Sequence, residues 1–194
     1  PKAASSIISY AMMLHAPTAD TDIPEHSPLG KALTNRRAIS NPYPRFPVFT
    51  FVRNPIDRFV SYYQDKFYRV RNTGFDLVNL PKLGFEPQMS IDEVVEHMMT
   101  IPVDKMEHHA QPQHRILLKN GRLLADYIGK FESIKDEWDY ISRLSLKNIE
   151  IEYPRNSTGK TTTQHISIAS VGALFRYYAT DFSLFDYDRP EVID

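Results

Sequence analysis

Cysteine is absent from the 194 residues, which excludes disulfides, thiolate metal sites and cysteine nucleophiles and fits a reducing compartment. An excess of charge of one sign is missing as well. Lys+Arg 23 against Asp+Glu 24 leave a formal net charge of -1, so no global positive field draws in a nucleic-acid backbone or an anionic membrane. Any anion site must be local. No apolar run approaches the roughly 20 residues of a membrane helix, no signal-peptide pattern opens the chain, and there is no internal repeat or low-complexity tract. What is present, 42% hydrophobic and 12% aromatic residues, suffices for a sizeable core in one domain over 1–194.

Apolar spacing alternates along the chain. A first helix is expected from Ile7 to Leu14, followed by a loop-rich excursion over 16–47 around the short helical stretch "SPLGKALTNRRAI". A buried strand at 47–53 leads into a helix at 54–70, and a polar loop at 71–89 into a helix at 90–100. Ser90 is the expected N-cap there, with Glu93 completing a capping box. The segment 124–132 reads as a strand, 133–144 as a helix capped by Ser133, "IEIEY" as a strand and 167–185 as one last helix. Strands alternating with helices predict an α/β layered fold with a mainly parallel sheet.

Two local patterns suit an anion. The chain opens "PKAASSIISYAMML": a loop of small residues, Ala3, Ala4, Ser5 and Ser6, starting a helix behind Lys2. Backbone N–H groups and two hydroxyls at a helix start can point at a phosphate, with Lys2 as a mobile charge; the plainer alternative is N-capping by Ser5 or Ser6. Such a loop calls for a strand ahead of it, so a short upstream strand is expected outside the chain. The second pattern is "FTFVRNPIDRFVSYYQDKF", where Arg53 ends a strand and Ser61 follows eight residues later along a helix. Ligands collect at the carboxyl ends of parallel strands. A nucleotide phosphate lying along the side of this helix would meet both groups. The alternative has Arg53 capping a neighbouring helix and Ser61 solvated.

In this order and spacing, the two patterns resemble the sulfotransferases that use 3′-phosphoadenosine 5′-phosphosulfate (PAPS), especially the carbohydrate branch with its bacterial members. The resemblance continues through "HHAQPQHRIL", "DYIGKFESIKDEWDYI", "PRNSTGK" and "YYATDFSLFDY", nearly the whole chain. It implies a P-loop-like three-layer fold with a mainly parallel central sheet flanked by helices. It also implies that Lys2, Ala3, Ala4, Ser5 and Ser6 hold the 5′-phosphosulfate, and Arg53 and Ser61 the 3′-phosphate. The family loop often carries Gly or Thr where Ala4 and Ser5 stand here, a small loss for a cradle built of backbone donors and a hydroxyl.

Sulfuryl transfer needs charge stabilised on the leaving group and a base for the acceptor hydroxyl. Lys2 is placed for the first role. The resemblance makes His26 the first candidate for the second, since bacterial members carry a His at the start of the short helical stretch, with His15 and Glu25 as competitors. "STGKTT" has the Gly-Lys-Thr of a Walker loop, but Pro154 occupies the first required glycine position; as part of a flexible loop, Lys160 would instead reach a phosphate. His108, His109 and His114 have no carboxylate at helical ligand spacing, so no metal is expected. The aromatic run from Phe175 to Tyr187 reads as core packing. The expected activity is sulfation of a glycan or glycolipid hydroxyl, without nucleic acid or a membrane span. The alternative is a non-catalytic protein of the same fold that binds 3′-phosphoadenosine 5′-phosphate (PAP) or another nucleotide. A cytoplasmic location is expected, with a Golgi lumenal catalytic domain as the alternative.

Overall fold

The computed structural model describes residues 48–68, 80–144 and 166–191, with side chains in the middle stretch described to residue 140. The elements in chain order are β1 (Phe49–Val52), α1 (Pro55–Tyr63), α2 (Ile91–Thr100), α3 (Gln113–Leu117), β2 (Leu118–Lys119), β3 (Arg122–Leu123), β4 (Tyr127–Lys130), α4 (Ile134–Leu144), α5 (Ile168–Tyr177) and α6 (Ala179–Leu184). Among them no helix is long and apolar enough to cross a membrane. They gather into two compact units, one holding residues 48–52 and 122–144, the other 53–68, 80–121 and 166–191.

In the first unit β1 and β4 pair in parallel, from Phe49 opposite Tyr127 to Val52 opposite Lys130. The expected strand at 124–132 is thus shorter, and a tight turn at Phe131–Ser133 leads into α4. Aromatic and β-branched residues of FTFV suit a pleated surface, and Phe51 packs with Ile134 and Trp138, one helical turn apart on α4. Gly129 is where the pair closes up: a Cβ built there would lie 2.8 Å from Cε1 of Phe51. Ser133 is not the cap expected of it: it closes the turn at Phe131–Ser133, and its hydroxyl donates to the Lys130 carbonyl and to Glu137 instead of accepting from the helix start, while Glu137 also accepts from Tyr127. The parallel pair and its helix are the α/β character the sequence predicts.

The second unit is built of helices. Asn54 caps α1, accepting from the N–H groups of Ile56 and Asp57, and Pro55 follows with no N–H to satisfy. The expected helix over 54–70 is α-helical only to Tyr63; residues Gln64–Tyr68 widen into a π turn. That turn brings Phe67 into the core, stacked 5.4 Å from Tyr63. The capping box at α2 is present, with Glu93 N–H donating to Ser90 Oγ at 3.3 Å and Ser90 N–H to Glu93 Oε2 at 2.6 Å. Ile91, Val94, Val95 and Met98 then face the core. Ser167 caps α5 and also donates to Asp92 of α2.

The last helix is two, not one. It breaks at Tyr178, with φ -101° and ψ 16°. Neither Gly nor Pro forces this. The buried Tyr178 hydroxyl donates to the Ala110 carbonyl at 2.7 Å, and the break leaves Asp181 and Phe182 of α6 buried as well.

Candidate functional site

Two residues of the expected phosphate grip, Arg53 and Ser61, are described. Arg53 directly precedes the cap of α1. Its N–H donates to Gln113 Oε1 at 3.0 Å, and Gln113 Nε2 donates back to its carbonyl at 2.8 Å. One side-chain amide therefore satisfies both main-chain polar groups of Arg53. Along α1 the core takes Pro55, Ile56, Arg58, Phe59, Val60 and Tyr62. Asp57 and Ser61, one turn apart, stay half-buried, as do Arg53 and Asn54 at the start. The helix thus keeps one partly open flank that carries the Asp57 carboxylate and the Ser61 hydroxyl, with Arg53 just ahead of its cap.

The two further cations of this segment have other roles. Arg58 is fully buried. It donates through Nη1 to the Gln111 carbonyl at 2.7 Å and through Nη2 to the His108 carbonyl at 3.4 Å. Burial pulls its guanidinium down, against the opposing effects of Tyr178, Asp181 and Glu107. Lys66 pairs with Asp65 at 3.3 Å.

Behind Gln113 stands Asp181, also fully buried. Its Oδ2 accepts from Gln113 N–H at 2.6 Å, while Oδ1 accepts from His114 N–H at 2.8 Å and lies 2.7 Å from His114 Nδ1. Sequence reading singled out neither Gln113 nor Asp181. A signal existed for the second, a lone carboxylate three residues after Tyr178 and one before Phe182. An acid on an apolar helix face is retained only with partners.

Glu107, His108 and His109 bring three potential ligand atoms within 4.8 Å of one another. The carboxylate that helical spacing did not supply comes from the residue just before the two histidines, in a turn. Glu107 Oε1 lies 2.6 Å from His109 Nδ1 and 2.9 Å from His108 Nδ1. Burial holds both imidazoles below the ordinary histidine value, with Glu107 working the other way. Burial pushes the Glu107 carboxyl up, but the His109 hydrogen bond and the two histidine charges outweigh it and hold it low. Glu107 is thus hydrogen-bonded to the His109 ring and charge-coupled to both imidazoles, a cluster of one carboxylate and two rings whose chemistry suits a proton or a metal ion.

Lys2, Ala3, Ala4, Ser5, Ser6, His15, Glu25, His26 and Lys160 lie outside the described residues.

Residues 1–188 match the family model described as "Sulfotransferase family". The chain is 24% identical over 169 residues to carbohydrate sulfotransferase 11 of Rattus norvegicus, covering 75% of this chain and 48% of that protein. It is 24% identical over 162 residues to carbohydrate sulfotransferase 14 of Homo sapiens, covering 74% and 43%. The chain thus spans about half the length of the curated relatives it matches or less. No solved structure gives a significant match.

Proposed function

The chain belongs to the sulfotransferase family, and from that premise we propose that it transfers the sulfuryl group of PAPS to a hydroxyl of a carbohydrate or glycoconjugate. The observation that most supports this reading is the pairing of an Arg53 whose main chain is fixed from both sides with a Ser61 on the partly open flank of α1. In it Arg53 and Ser61 hold the 3′-phosphate. The loop of Lys2, Ala3, Ala4, Ser5 and Ser6 holds the 5′-phosphosulfate, and Lys160 reaches a phosphate. The parallel β1–β4 pair is read as part of the central sheet of a P-loop-like three-layer fold.

The reaction in this reading forms a bond from the acceptor oxygen to sulfur while the bond from sulfur to the bridging phosphate oxygen breaks. Like phosphoryl transfer, it asks the protein mainly to align two oxygens and stabilise charge. Lys2 neutralises the departing PAP, and His26, or else His15 or Glu25, takes the acceptor proton.

A thermal-shift comparison tests the nucleotide assignment. PAP at about 100 times its dissociation constant should add roughly 2.7 kcal/mol of stability, and ATP and ADP should add less because they lack the 3′-phosphate. Equal shifts with PAP and ADP would remove the 3′-phosphate site.

A further inference from the structure

The grip of Arg53 is set from a distant part of the sequence. Helix α3 starts after Pro112, which provides no side-chain cap, and the first N–H groups of any helix lack an intrahelical partner. The buried Asp181 carboxylate, 68 residues further on, takes the N–H groups of Gln113 and His114 and faces His114 Nδ1. This fixes the main chain of Gln113, itself 4% exposed. The Gln113 amide then spends both of its polar atoms on one residue, Arg53.

We propose that Asp181, acting through Gln113, is a positioning residue that sets the affinity for a 3′-phosphorylated nucleotide by fixing the main chain of Arg53. The proposal rests on the reading of Arg53 as the holder of the 3′-phosphate. An arginine side chain swings from its Cα, so a small shift of that atom moves the guanidinium off a bidentate geometry that tolerates little error. The Asp181 carboxylate offers acceptors only, matching the donors that face it. An amide in its place would turn an NH₂ group toward a main-chain N–H.

Calorimetric titration of the full chain with PAP and with adenosine 5′-monophosphate, which differs from it by the 3′-phosphate alone, separates the alternatives. Gln113→Met and Asp181→Asn should each weaken PAP about tenfold, the scale of one or two lost hydrogen bonds, and leave the monophosphate unchanged. Equal losses for both nucleotides would mean a purely structural role and overturn the proposal. So would an undiminished preference for PAP in both variants while Arg53→Ala abolishes it. If Arg53→Ala itself keeps the preference, the phosphate assignment fails first, and the positioning role with it. Should Asp181→Asn not fold, Gln113→Met alone decides.

Discussion

Arg58, fully buried on α1, donates to the Gln111 carbonyl at 2.7 Å and so ties that helix to the turn before α3. Its Nε has no hydrogen-bond partner among the described residues. The charge is balanced at longer range by Asp181 and Glu107. Arg58→Met keeps much of the volume but strands two carbonyls and leaves the carboxylates without their cation. It should cost about 3 kcal/mol, read as a lower urea midpoint at an unchanged slope. Full stability in this variant would show that the buried guanidinium is replaceable.

Gly129→Ala tests the closeness of β4 to Phe51. The added methyl would meet the ring at 2.8 to 3.0 Å, so the ring has to move within a packed cluster with Ile134 and Trp138. Overpacking outweighs the entropy gained from losing a glycine, for a net loss of about 1 to 2 kcal/mol. The measurement is again the denaturation midpoint, and a stabilised variant would contradict the packing seen here.

Stability should fall as pH drops. His108, His109 and Glu107 all have lowered values in the folded state, so the unfolded chain takes up protons first at each group. The contribution of the histidines is complete above about 6.5 and is lost as pH falls from there through their lowered folded values. That of Glu107 is complete above about 4.3 and is lost below it. Urea titrations at pH 7.5, 6.5 and 5.5 should show declining midpoints, with a shallower decline in His109→Gln. An identical pH profile in that variant would refute the cause assigned here.

Binding and chemistry should separate between the two ends of the proposed site. Arg53→Ala should weaken PAP by about 1.5 to 3 kcal/mol, the worth of a charge-assisted contact. Lys2→Ala should abolish transfer while keeping some PAP affinity. His26→Ala should lower turnover by about 10²- to 10⁴-fold with PAP bound nearly as before, and the wild-type rate should fall below about pH 6.5 as the base becomes protonated. Calorimetry and transfer assays on the three variants check this, and an undiminished rate in His26→Ala would move the base to His15 or Glu25.

Sequence alone determined the features whose causes are local. The cap at Ser90 follows from a side chain reaching an N–H group three residues on, and the β1 and β4 segments from short aromatic and β-branched runs. The proposed pairing of Arg53 with Ser61 likewise rests on contiguous features, a strand end, a helix start and the spacing between them. Tertiary structure decided the rest. The turn-out at Gln64–Tyr68 and the break at Tyr178 carry no glycine or proline, and they occur where Phe67 and the Tyr178 hydroxyl find partners in the core. Arg58 is fully buried against carbonyl partners 50 and 53 residues away in the chain, which no local pattern records. The link from Asp181 through Gln113 to Arg53 spans separations of 68 and 60 residues. No periodicity records such a link, because hydrogen-bond geometry depends on where the chain returns in space.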